Sequence, residues 1–312
     1  MEKTKQLTEG AILLALYSIL LLLFLYVPLV GIIVLFVLPL PFIIYTIRNG
    51  INNTVVLFIA ALLLTIILGS FAALPLTFMF GSSGIVLGYL IRSRKSRYGI
   101  LLGGTLVYII NIVILYVIAV TLMNINVMDL ALTTTRETMD TSSDFLKSIG
   151  QQGNETALQQ FEEALKVIPY LLPSTFLMLA FILAFFTQLA SIPFLKRLKI
   201  DVEAWPPFRD LMLPKSILWY YLIVMVLMFL QFEVGTFGYT AIINLFYILQ
   251  LLMMIQGVSF IFYFCYQKGI VKGIPIAITI VSLILPFLLY IIRILGIIDL
   301  GFQIREKIQL KK

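Results

Sequence analysis

The chain has 312 residues, 61% hydrophobic and only 12% charged, with a net charge of +7 and a mean hydropathy of +1.08. Soluble domains carry roughly 25% charge, so this is the composition of an integral membrane protein. Histidine is absent and Cys265 is the single cysteine, which removes zinc and haem ligation, Ser-His-Asp and Cys-His catalysis and structural disulfides together, so neither an enzyme activity nor a cofactor is expected.

Apolar segments fall at about 10 to 27, 29 to 47, 53 to 70, 72 to 91, 98 to 122, 167 to 195, 216 to 233, 239 to 264 and 274 to 292. Each is long enough to cross about 30 Å of hydrocarbon at about 1.5 Å per residue. Lipid offers the backbone no partners and the segments lack the alternation of barrel strands. The expected fold is therefore an all-α polytopic transmembrane helix bundle of about nine spans, or eight if one late segment is re-entrant.

The basic start and apolar run of MEKTKQLTEGAILLALYSILLLL are not followed by a small-residue cleavage pattern, so a retained first helix is expected. It carries Ala11 and Ala15 as an AxxxA, and the fourth span carries Gly81, Gly84 and Gly88. Small residues at this spacing admit another helix closely, from the same chain or from a partner. Pro28, Pro39, Pro41 and Pro75 predict kinks in and between the first four spans.

Lys3 and Lys5, Arg48, the run from Arg92 to Arg97, Lys196 to Lys199, and Lys268 with Lys272 all fall on one face when the spans alternate. By the positive-inside rule that face is cytoplasmic, and with it the N-terminus. The connection from 123 to 166 agrees: seven acids (Asp129, Glu137, Asp140, Asp144, Glu155, Glu162, Glu163) oppose three bases (Arg136, Lys147, Lys166). Within it Phe145, Ile149, Leu158, Phe161 and Leu165 suggest short amphipathic helices interrupted near Gly150 to Gly153. Asn154-Glu155-Thr156 matches the weak glycosylation triplet.

The stretch from Asp201 to Lys215 holds Trp205, Phe208 and three prolines among charges. It reads as an interfacial elbow in which Trp205 and Phe208 anchor the chain, dividing residues 1–200 from a three-span region at 216–312. Nine crossings would leave Arg293, Arg305, Lys307, Lys311 and Lys312 on the outer face; nine are favoured here, with Pro286 marking the ninth segment as the one to suspect. No carboxylate is placed near the centre of any span. Glu233 and Arg293 read as span-end groups, and the amides Asn111, Gln188, Gln231, Asn244, Gln250 and Gln256 as helix-to-helix bonds or binding groups.

The segments LTEGAILLALYSIL, VLPLPFIIYTIRNG, FGSSGIVLGYLIRSRKS, WPPFRDLMLPKSILWYY and RILGIIDLGFQIREK, in this order, resemble the YybS-like family of Gram-positive multi-pass membrane proteins over essentially the whole chain. The first six spans also resemble the S component of energy-coupling factor transporters, a six-helix protein with both ends cytoplasmic. That likeness implies docking of Ala11 and Ala15 on a coupling membrane subunit with ATPases, and a substrate pocket toward the outside. Thr77, Tyr116, Thr121, Tyr170, Ser174 and Thr175 stand at the outer ends of the relevant spans. This chain departs from the pattern in its three further spans and its short first outer loop, around Tyr26 to Val30. No nucleotide-binding loop occurs in the chain, no metal site is expected, and the lipid bilayer is the surrounding partner, without nucleic acid. Two functions stay open: a substrate-binding component energised by partners, and a non-transporting scaffold or regulatory partner of another membrane protein.

Overall fold

A computed structural model describes residues 2–148, 163 and 165–309. Among them every regular element is helical; seven helices are long and apolar enough to cross a membrane, and two more are apolar but shorter. The chain is an all-α polytopic membrane protein. It divides into two units, Met1–Glu162 with Thr175–Ala204, and Glu163–Ser174 with Trp205–Lys312. One boundary falls inside the elbow, and the other inside the sixth span.

In the first unit, α1 (Glu2–Tyr26) stops at Val27, where Pro28 opens α2 (Pro28–Val37). Pro39 and Pro41 lack the N–H groups that a continuous helix needs, and α3 (Leu40–Asn49) starts there as a separate helix. Next come α4 (Ile51–Gly69), a 3-10 turn and α5 (Leu74–Arg92). The Ser96 hydroxyl accepts from Gly99 N at 3.2 Å and opens α6 (Arg97–Thr121). Asn126 Oδ1 accepts from Met128 N and Asp129 N at 3.2 and 3.3 Å at the start of α7 (Val127–Ser148). The unit closes with α8 (Leu172–Arg197), whose first turn belongs to the second unit. Ile149, Leu158, Phe161, the Gly150 to Gly153 interruption and the Asn154 triplet lie outside the described residues, as does the side chain of Phe145.

The glycine face of α5 is spent inside this unit. A Cβ at Gly84 would lie 2.7 Å from Pro39 O, and one at Gly88 2.8 Å from Ile43 O, so α5 and α3 meet backbone to backbone. At Gly81 the neighbour is the Phe58 ring of α4, 2.5 Å away. Around them Tyr17 meets Phe42 edge-on at 5.0 Å, and Phe80 meets Tyr108 at 5.9 Å.

The second unit continues from a 3-10 turn at Ile168–Leu171 and resumes in the elbow. It comprises α9 (Lys215–Met228), α10 (Phe237–Gln267), α11 (Gly273–Ile284), α12 (Pro286–Phe302) and α13 (Ile304–Gln309). The single ninth crossing expected over 274 to 292 is here two helices. Pro286 has no N–H and disfavours helical geometry in the residue before it, and Leu285 is extended (φ −109°, ψ 93°).

The direction of α12 follows from its neighbours on α10. A Cβ on Gly296 would meet Met253 O, Asp299 bonds Gln256, and Tyr263 bonds Arg305 O, so residue numbers rise together along both helices. α11 leaves from the end of α10 at which α12 finishes, and the chain therefore reverses at Leu285. The 12 residues of α11 rise only about 18 Å, short of about 30 Å of hydrocarbon. The pair is a hairpin that enters and leaves on one side. Its exit is the elbow side, because Arg305 Nη1 donates to Arg209 O at 2.7 Å. The favoured nine crossings, with Arg305 and Lys307 on the face opposite the elbow, thus give way to the alternative in which the late segment around Pro286 is re-entrant.

This reversal is testable by cysteine labelling after Cys265 is replaced by alanine. Cysteines placed at Lys272 and Lys307 should react with an impermeant reagent under the same condition, and one at Val234, in the loop between α9 and α10, under the opposite one. Labelling of Lys307 together with Val234 would show that the hairpin is a full crossing.

Candidate functional site

Polar side chains in the first unit are placed by helix faces and mostly satisfy one another. Thr77 is fully buried: Tyr17 Oη donates to its hydroxyl at 2.6 Å, and Thr65 Oγ1 lies 2.7 Å away. Tyr108 Oη and Thr187 Oγ1 meet at 3.0 Å between α6 and α8. Asn111 accepts from Ser82 Oγ at 3.1 Å and donates to Val107 O at 2.9 Å. Gln188 and Arg97 are exceptions, since both amide atoms of Gln188 and the Arg97 Nη2 are buried without a hydrogen-bond partner among the described residues.

The six residues expected to line an outer pocket are divided between the two units. Thr77, Tyr116, Thr121 and Thr175 belong to the first unit, and Tyr170 and Ser174 to the second. Tyr116 packs edge-on against Phe176 at 5.3 Å; Thr121 is exposed and bonds its own helix at Val117 O; Thr175 is exposed. Asn244 holds the other two, accepting from Ser174 N at 2.8 Å and donating to Tyr170 O at 2.5 Å.

A polar cluster lies where α10, α12 and the elbow meet in the second unit. Asp299 Oδ2 accepts from Arg305 Nε at 2.8 Å and from Gln256 Nε2 at 2.6 Å, with Asp299 fully buried and Arg305 nearly so. Arg305 Nη2 donates to Ser259 Oγ at 3.1 Å. Ser259 in turn donates to Phe208 O or Leu211 O, at 2.9 and 2.8 Å, and Gln256 Oε1 accepts from Leu213 N. These bonds satisfy the irregular elbow backbone and clasp it to α10. Asp299 Oδ1 is buried without a hydrogen-bond partner among the described residues. Sequence reasoning missed this carboxylate because it ended the last span at 292. Its signal was one acid inside the apolar run ILGIIDLGF.

Of the expected anchors, Trp205 is half-buried, and Phe208 is exposed with its ring edge-on to Phe262 at 5.6 Å. Ala11 and Ala15 are both exposed on α1, beside rather than on the buried stripe of Gly10, Leu13, Tyr17 and Leu21. Gln250 and Arg293 share the wall of a small cavity of about 130 Å³. Gln231 and Glu233 are exposed in the α9–α10 loop. A cavity of about 710 Å³ lies in the first unit at its basic end, walled by α1, the α2–α3 segment and the end of α8.

Comparison with known proteins adds a family. The family model described as "Predicted membrane protein (DUF2232)" matches residues 15–300. A protein of Bacillus subtilis (strain 168), described as the uncharacterised protein YybS, is 37% identical over 310 residues, covering 99% of this chain and 100% of that relative. No solved structure matches the chain.

Proposed function

This chain belongs to the predicted membrane protein family DUF2232, and from that premise we propose that it is a non-transporting membrane scaffold, working through the proteins it holds. The observation that carries this reading is the mutual satisfaction of most intramembrane polar groups. Thr77, Asn111, Asn244 and Gln256, the residue types a solute pocket would use, are spent on helix-to-helix bonds. A captured polar solute needs converging donors and acceptors in a concave site, whereas Thr77 and Ser174 are bonded to Tyr17 and Asn244. The chain is proposed to sit in a bacterial plasma membrane with its basic end, and its N-terminus, toward the cytoplasm.

The exposed Ala11 and Ala15 offer α1 as one docking face, in keeping with the resemblance to S components. Adding bulk there meets no packed core, so Ala11→Leu with Ala15→Leu should leave the melting temperature within about 0.5 kcal/mol of wild type in stability terms. The same protein should lose a co-purifying membrane partner. A variant that is destabilised yet keeps every partner would return these alanines to ordinary packing.

Capture of a solute for a partner-energised transporter has one observation on its side, the unpartnered amide of Gln188. Mass spectrometry of the detergent-purified protein separates the two. The scaffold reading expects a constant set of proteins and no polar solute at stoichiometric level. A reproducible polar solute, lost in Gln188→Leu, would overturn it.

A further inference from the structure

The cavity at the basic end of the first unit is built like a mould for one leaflet's lipid. Along α1 its wall runs through Lys5, Thr8, Glu9, Ile12, Leu16 and Leu20. The opposite walls include Ile44, Arg48, Phe194 and Arg197. Charged groups stand only at one end. Glu9 and Arg48 form an ion pair at 2.5 Å, which leaves Lys5 and Arg197 as cations with no carboxylate partner among the described residues. Beyond Glu9 the wall along α1 is wholly apolar.

We propose that this cavity binds a single anionic glycerophospholipid, its phosphate between Lys5 and Arg197 and an acyl chain along Ile12, Leu16 and Leu20. Two features select this occupant. The uncompensated positive charge suits an anionic headgroup at the inner surface, where cationic pockets between helices recognise such lipids. The apolar part from Ile12 to Leu20 rises about 12 Å, close to half of the roughly 30 Å hydrocarbon layer. An acyl chain ends there; a transmembrane helix of a partner would need a groove continuing to the far side. Ile12 and Leu16 are 64% and 37% exposed, so the groove is open to lateral entry. Ala11 and Ala15 do not line it, and the lipid site and the proposed protein-docking face are separable.

Native mass spectrometry of the full chain in detergent, with phosphatidylglycerol and phosphatidylcholine of identical chains in competition, tests this. Wild type should retain one phosphatidylglycerol in preference by about 25-fold, taking about five-fold for each of two cations. Lys5→Gln with Arg197→Gln changes only exposed groups, so the protein should melt as wild type while the preference falls to near unity. Ile12→Trp with Leu16→Trp fills the groove and should abolish retention of both lipids. Equal retention of the two lipids by wild type, or retention of neither, overturns the proposal. So does retained lipid with loss of a protein partner in the tryptophan variant, which would make the groove a protein interface. The lipid-preference outcomes stand whether or not the scaffold reading holds.

Discussion

Gly257→Ala should melt far below the wild-type protein, and Gly257→Leu should fail to fold its C-terminal unit. A Cβ at Gly257 would overlap the carbonyl of Ile292, and one at Gly296 the carbonyl of Met253, so α10 and α12 are in backbone contact at two successive turns. Overpacking of a core ordinarily costs about 1–3 kcal/mol, relieved by side chains that change rotamer. Here the obstructing atoms are main chain, and relief requires the helices to part. That separation would also pull Asp299 from Gln256 and loosen Met253 and Leu300 in the apolar cluster with Leu218 and Tyr221. The expected loss for alanine is at or above about 3 kcal/mol, a large share of a total stability of about 5–15 kcal/mol. Gly273→Ala is the control: nothing lies within 4 Å of its Cβ, and its melting temperature should match wild type. If Gly257→Ala melted with that control, the parallel contact of α10 and α12 would be wrong.

Breaking the buried ion pair should be nearly as damaging. In Asp299→Asn the Arg305 guanidinium keeps its bonds to Arg209 O and Ser259 but loses its counter-charge; in Arg305→Gln the fully buried Asp299 carboxylate keeps only Gln256. Removing one member of a buried pair leaves the other uncompensated and costs about 3–5 kcal/mol, whereas apolar replacement of both is often neutral. The double variant Asp299→Leu with Arg305→Met should therefore recover most of the stability lost by either single change. A double-mutant cycle on thermal unfolding reads the coupling directly. Purely additive losses would show that the two charges act independently and that the clasp is held by its neutral hydrogen bonds.

What could be read in advance divides along physical lines. Runs of apolar residues announce helices whatever their neighbours, because an unpaired backbone in lipid is too costly; Pro39 and Pro41 announced the break between α2 and α3 for the same local reason. The expectation failed where a local signal had two outcomes. Pro286 is compatible with a kinked crossing or a reversal, and what selects the reversal is the fit of Gly296 against Met253, a contact between residues 43 positions apart. Asp299 was overlooked because its acceptability depends on Arg305 and Gln256 arriving from two directions. For the site, residue type was legible and convergence was not: Thr77 and Ser174 are polar residues in apolar spans, but their partners are Tyr17 and Asn244 rather than one another.

The hairpin of α11 and α12 bears on the order in which the protein is made. A segment whose two ends stay on one side asks the insertion machinery to translocate no polar loop, and its only entry is the apolar tip around Leu285. Such an element adds late, sliding up against an already placed α10 until Gly296 seats on Met253. Before that moment Gln256 lacks Asp299, Ser259 lacks Arg305 and the elbow carbonyl of Arg209 lacks its donor, while Ser259 and Gln256 keep their bonds to Phe208, Leu211 and Leu213. Release of a chain that ends before residue 273 would thus leave every long helix inserted but its last polar seam open, and quality-control proteases that survey unpaired intramembrane polar groups would find their substrate there.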